Sequence, residues 1–97
     1  MEKHELINFF KEHEKENLKF DEIKNKKSNR RDLQAFIILD EKFPSRQNII
    51  ENAMHHDEIG LNITFDQLCE LDENTLLDLI RCGVLLDEEY ESLKMYV

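Results

Sequence analysis

The densest run of metal-ligating side chains in the sequence is His55-His56-Asp57-Glu58. Imidazole and carboxylate groups suit zinc, iron or manganese. Four consecutive residues cannot all turn toward one ion, however. A centre on His55, His56 and Asp57 therefore needs ligands from elsewhere, with Asp40 and Asp87 as candidates. The helical HExxH spacing of zinc hydrolases does not occur. A metal-binding protein or metal-dependent enzyme is thus an alternative reading. The plainer one is that Asp57 or Glu58 accepts backbone N–H bonds at a junction between two elements.

Adjacent carboxylates occur at Asp40-Glu41, Asp72-Glu73 and Asp87-Glu88-Glu89. General acid–base chemistry needs two carboxyls held across a pocket in unlike environments. These pairs fall at helix ends and turns, where water is the usual partner. No serine or cysteine stands in a nucleophile motif. The chain has two glycines, Gly60 and Gly83, too few for a phosphate-cradling loop. The expectation is a protein that is not an enzyme, with no catalytic residues and no cofactor.

Charge gives the stronger signal. Residues 1–31 hold nine Lys/Arg against seven Asp/Glu, while residues 32–97 hold four against fifteen, and the whole chain carries −9. A body this acidic has no positive face with which to neutralise phosphates, so direct nucleic-acid binding is not expected. The same field steers encounters with basic partners. The run Asp87-Glu88-Glu89-Tyr90-Glu91 sets one aromatic inside four carboxylates. Tyrosine is a frequent interface anchor, and these five residues are the expected partner-binding site. Carboxylates spread through 57–91 could also imitate a phosphate backbone on another protein's nucleic-acid groove, an attraction that salt would weaken.

The elements that must position these groups follow from pattern. At 97 residues the chain is read as one domain. Its parts are an N-terminal helix and extension (1–23), a basic linker (24–31) and an acidic body (32–97). Leu6, Ile7, Phe9 and Phe10 define an apolar face on a helix over 3–18, whose second half is held by Glu12–Lys15 and Glu16–Lys19 pairs. Leu18, Phe20 and Ile23 give a second attachment. Ser28 or Asn29 caps a helix running to Phe43, ended by Pro44. Leu33, Phe36, Ile37 and Asp40 follow one face of it. Ala35, Ile38 and Leu39 are apolar as well, so this helix is expected to be central and buried on most sides.

Ser45 caps a third helix over 46–56, with Ile49, Ile50, Ala53 and Met54 inward. The alternation of Ile59, Leu61 and Ile63 reads as a strand. Thr64 and Gln67 form a capping box and Asp72 caps a helix over 73–82, which Gly83 ends. Val84–Leu86 and residues 93–97 complete the pattern, the last strand pairing with 58–63. The fold class is α+β, with four to five short helices on a small antiparallel sheet of two or three strands. Cys69 and Cys82, in neither a CxxC nor a zinc-ribbon spacing, read as buried reduced thiols. Arg81 reads as one half of a structural ion pair with Asp57 or Asp40. The longest apolar run, Ala35–Leu39, is far too short to span a bilayer, and a cytoplasmic protein is expected.

Four segments carry a resemblance: Arg31-Asp32-Leu33-Gln34-Ala35-Phe36-Ile37-Ile38-Leu39-Asp40, His56-Asp57-Glu58-Ile59, Leu79-Ile80-Arg81-Cys82-Gly83-Val84 and Ser92-Leu93-Lys94-Met95-Tyr96-Val97. Over residues 31–97 the chain resembles a group of small uncharacterised proteins carried by bacteriophages and mobile elements. The first helix and the linker lie outside that stretch. The resemblance implies a bacterial host cell and a phage- or prophage-encoded protein, and assigns no site residue. The function expected is a small acidic interaction module that binds and modulates a host or phage protein. A self-associating structural subunit, monomer or homodimer in state, is a further alternative, with residues 3–18 packing on a second copy.

Overall fold

A computed structural model describes residues 1–24, 26–44, 48–55 and 58–96. The chain opens with α1 (Lys3–Glu12), whose start is fixed by the Glu2 N–H donating to Glu5 Oε1 at 2.9 Å. Leu6, Phe9 and Phe10 are its buried residues. The α-helix stops where the apolar stripe stops, and the chain tightens into two 3₁₀ segments, Glu14–Leu18 and Phe20–Glu22. The expected helix over 3–18 is therefore an α-helix followed by a 3₁₀ turn. Glu16 pairs with Lys19 at 3.5 Å as expected, whereas Glu12–Lys15 does not form an ion pair. Phe20 and Ile23 are buried, but Leu18 is 79% exposed.

α2 spans Arg31–Lys42 and is entered from Arg30 without a side-chain cap. Neither Ser28 nor Asn29 is its cap as expected; Ser28 Oγ instead accepts from the Arg30 N–H at 3.1 Å, a bond within the linker. The buried face of α2 is Gln34, Ala35, Ile38 and Leu39, while Leu33 is 45% exposed. The helix is thus peripheral rather than central. Gln34, a polar residue, takes a place on the core face where apolar residues alone were expected. Its Oε1 accepts the N–H groups of Lys27 and Ser28 at 2.9 and 3.1 Å, which ties down the linker. Three of the linker's charges are paired within the chain, Lys27 with Glu41 at 2.6 Å, Lys26 with Asp21 at 3.5 Å and Arg30 with Asp32 at 3.5 Å.

The sheet has four antiparallel strands in the order β1-β2-β4-β3. They are β1 (Ile50–His55), β2 (Glu58–Thr64), β3 (Val84–Asp87) and β4 (Ser92–Tyr96). The three strands read from the sequence are present, and the last pairs with 58–63 as expected. The fourth, β1, stands where a helix over 46–56 was expected. Apolar residues at i, i+3 and i+4 in so short a run fit either state, and pairing against β2 decides it. Register shifts between Ile50 and Asn52 and between Ala53 and His55 mark bulges that break strict alternation. Those bulges remove the period-two alternation by which a strand is read from sequence.

Registers Leu61↔Leu93↔Leu86 and Ile59↔Met95↔Val84 place two apolar rows on one face. α1, α3 (Phe65–Leu68) and α4 (Glu73–Arg81) pack against the sheet, with Leu68, Leu76 and Leu79 wholly buried. This is the α+β class expected, with four α-helices on a small antiparallel sheet. The N-terminal helix is part of the common core, not an appendage to residues 31–97.

The remaining helix ends follow the sequence closely. The Gln67 N–H donates to Thr64 Oγ1 at 3.3 Å, and the Thr64 N–H donates to Gln67 Oε1 at 2.9 Å, completing the capping box. Asp72 Oδ1 accepts from the Thr75 N–H at 2.9 Å, and hydrogen bonding by the Thr75 side chain and then by its N–H holds the Asp72 carboxyl below the usual aspartate range. Gly83 has φ +88°, the left-handed turn that ends α4.

Candidate functional site

The acidic run forms the β3–β4 turn. Asp87, at the end of β3, is 6% exposed. Its Oδ1 accepts the Glu89 and Tyr90 N–H groups at 3.1 and 3.2 Å. An aspartate that closes a turn on its own downstream backbone is a conformational device. Asp87 therefore leaves the list of contact residues, and the surface at this turn is Glu88, Glu89, Tyr90 and Glu91. The clue in the sequence was its place: an aspartate at a strand end, followed by polar turn residues, reads as an Asx turn.

The far side of the turn is held as firmly. Glu91 has φ +50°, an uncommon left-handed conformation for a non-glycine residue. Its carbonyl accepts from the Phe65 N–H at 2.9 Å, and its Oε1 accepts from Lys3 Nζ at 2.7 Å. The hydrogen bond that Lys3 donates to Glu91, helped by the charges of Asp66 and Glu91, raises the Lys3 ammonium above its ordinary 10.5. Between these two anchors Glu88 and Glu89 stand exposed, and Tyr90 is 65% exposed. The turn presents an aromatic and two carboxylates on a fixed backbone.

Beside the turn lies a groove of about 580 Å³, which Glu88 also lines. Its buried floor includes Phe10, Ile80 and Val84, and its exposed margin includes Lys11, Glu14, Lys15 and Leu18.

Arg81 closes the underside of the 3₁₀ turn. Its Nε donates to Glu16 Oε2 at 3.2 Å and its Nη1 to Asp78 Oδ1 at 3.1 Å. The structural role expected for Arg81 is observed: among the described residues its partners are Glu16 and Asp78 rather than Asp40, and Asp57 lies outside the described residues. Desolvation pushes the Glu16 carboxyl up, but the Arg81 hydrogen bond and the Lys19 and Arg81 charges outweigh it, leaving it below the ordinary 4.5. Asp40 is exposed on α2.

The two cysteines differ. Cys82 is 1% exposed, and its thiol is pushed up to about 12, chiefly by desolvation and then by the nearby Asp78 charge. Cys69 is only half-buried, contrary to the expectation, and burial raises its thiol more modestly.

Of the metal alternative, His56, Asp57 and the side chain of His55 lie outside the described residues. Among the described residues, Glu2, His4 and Glu5 bring three ligand atoms within 4.8 Å of one another. All three are exposed, and Glu5 is already bound to the start of α1. Among the described residues no helix is long and apolar enough to cross a membrane.

No family model, curated protein or solved structure matches this chain. Fold and site together define an α+β domain of high negative charge with an acidic turn hydrogen-bonded at both ends.

Proposed function

We propose that the protein is a small acidic interaction module that binds a basic surface of another protein, and modulates it, through Glu88, Glu89, Tyr90 and Glu91. The observation that carries this reading is Tyr90, left 65% exposed on a turn locked by Asp87 on one side and Glu91 on the other. An aromatic on a fixed backbone surrenders little conformational entropy on binding, which favours it as an anchor. The carboxylates beside it, on a chain of net charge −9, steer a basic partner toward it. A bacterial host and a phage or mobile-element origin belong to the same reading and rest on the sequence resemblance.

Affinity capture from bacterial lysate tests it. One partner should be retained near stoichiometry by the wild type and released as salt rises. Tyr90→Ala should weaken a hot-spot contact by about 2 kcal/mol, roughly 30-fold in affinity. A partner held equally by Tyr90→Ala and by Glu88→Gln/Glu89→Gln would remove the turn from the interface. A retained nucleic-acid-binding protein that oligonucleotide displaces would make phosphate mimicry the form the interaction takes.

A further inference from the structure

We infer that the 3₁₀ turn Glu14–Leu18 is a strap, hinged at His13 and Lys19, that opens while the rest of the fold stays closed and turns the two clefts beside it into one. The inference concerns the motion of this segment and does not depend on the acidic turn. It rests on how the strap is fastened.

The strap has no apolar anchor of its own. No residue of Glu14–Leu18 is buried, and Leu18 points the other way, 79% exposed. The apolar anchors lie on either side, Phe9 and Phe10 before it and Phe20 and Ile23 after it. His13 is tied back to α1, its Nδ1 donating to the Phe9 carbonyl at 2.9 Å and its ring centre 4.3 Å from that of Phe9. Phe20 carries Lys26 Nζ and the Arg31 guanidinium on its ring, 4.7 and 5.6 Å from the centre. The backbone leaves the helical range at both hinges, with φ −113°, ψ 17° at His13 and φ −112°, ψ 35° at Lys19. Among the described residues, the backbone-to-backbone bonds of the strap close within 13–19. A segment with so little buried apolar surface lies at the low end of local stability.

Two polar bonds fasten the strap to the body. Arg81 Nε donates to Glu16 Oε2 at 3.2 Å, and Arg31 Nη1 donates to the Asn17 carbonyl at 2.9 Å. Each charged group keeps a second contact when these bonds break. Arg81 retains Asp78 at 3.1 Å, Glu16 retains Lys19 at 3.5 Å, and Arg31 retains the Phe20 ring. Opening therefore strands no charge without a partner, which is what makes a half-buried ion pair costly to break. Asn17 lines both the groove of about 580 Å³ and an adjoining cleft of about 720 Å³, and Leu85 is the residue of the sheet that the two share. When the strap lifts, Asn17 leaves that boundary and the clefts become continuous over Leu85.

Hydrogen exchange of the full chain, read by mass spectrometry at urea concentrations below the unfolding transition, tests the strap. Amides of residues 14–19 should exchange through an opening that urea scarcely accelerates, whereas α1 and β4 should show the steeper urea dependence of larger openings. Arg81→Met should speed exchange in 14–19 about tenfold, the scale of one hydrogen bond between charged groups, and leave α1 and β4 within about twofold. Glu16→Gln leaves Arg81 paired with Asp78 and should act in the same direction without disturbing α4. Glu14→Gln, on an exposed side chain of the strap, should change nothing. Hydroxyl-radical footprinting of the same variants should show more label on Leu85 in Arg81→Met and Glu16→Gln. Exchange of 14–19 with the urea dependence of α1, or exchange unmoved by both Arg81→Met and Glu16→Gln, overturns the strap. So does a rise shared equally by α1 and β4, which would make Arg81 a stabiliser of the whole fold. Unchanged label on Leu85 in a variant whose strap exchange has risen overturns the joining of the clefts.

Discussion

Neutralising Asp87 should damage the fold, while neutralising its neighbours should not. Asp87 is 6% exposed and accepts two backbone N–H bonds within the turn. Hydrogen bonds to a charged acceptor contribute about 1.5–3 kcal/mol each. The donors belong to the exposed residues Glu89 and Tyr90, so water takes over part of the role once the carboxylate is gone. Discounting for that, Asp87→Ala should cost about 2 kcal/mol. In a chain of 97 residues a loss of that size lowers Tm by roughly 8–16 °C. Asp87→Asn keeps an acceptor but loses the charge, and should cost about half as much. Glu88→Gln/Glu89→Gln removes two exposed charges and should stay within about 0.5 kcal/mol of wild type. Urea and thermal unfolding followed by circular dichroism measure all three. A wild-type Tm for Asp87→Ala, or a lowered Tm for the glutamate pair, would refute the division of this turn into a structural aspartate and a free surface.

Four further outcomes are expected. Gly83→Ala should lose about 1–2 kcal/mol in urea unfolding through backbone strain alone, because φ is +88° and an added Cβ would meet nothing within 4 Å. Alkylation of the native protein with iodoacetamide near pH 8, read by mass spectrometry, should modify Cys69 first and leave Cys82 intact until unfolding. The Cys82 thiol titrates near 12 in the fold against an ordinary 9.0, so folding stability should also fall as pH climbs above 9.0. The Glu16 carboxyl lies below its ordinary 4.5 in the fold, so the Glu16–Arg81 pair contributes above pH 4.5 and fades as pH falls through the folded value. Hydrogen exchange in residues 14–18 should therefore rise more steeply in acid for the wild type than for Arg81→Met, and parallel acid profiles would sever that link.

What the sequence made legible was local chemistry. Thr64, Gln67, Asp72 and Gly83 each act within a few residues of themselves, so their helix ends could be read without knowing the fold. What it hid was set by distant partners. Residues 50–55 become a strand only because β2 offers an edge, and bulges erase the alternation that would have announced it. The orientation of α2 depends on Gln34, whose burial makes sense only once the linker N–H groups it accepts are in place. Asp87 was grouped with Glu88 and Glu89 because composition cannot distinguish a carboxylate turned onto its own backbone from one turned to water. The groove was illegible for the same reason, since Lys11, Lys15 and Leu18 line one cleft with Leu85 and Leu86 only in the folded chain. Residues 1–23, outside the resembling stretch, supply Leu6, Phe9, Phe10, Phe20 and Ile23 to the one core.

The most direct test of the proposed role is quantitative capture from bacterial lysate by the wild type and by Glu88→Gln/Glu89→Gln/Tyr90→Ala in parallel, with the Tm of both proteins measured first. The expected result is one partner near stoichiometry on the wild type, lost from the variant at unchanged Tm. Equal recovery on both proteins, or no specific partner on either, would contradict the assignment of this turn as the working surface.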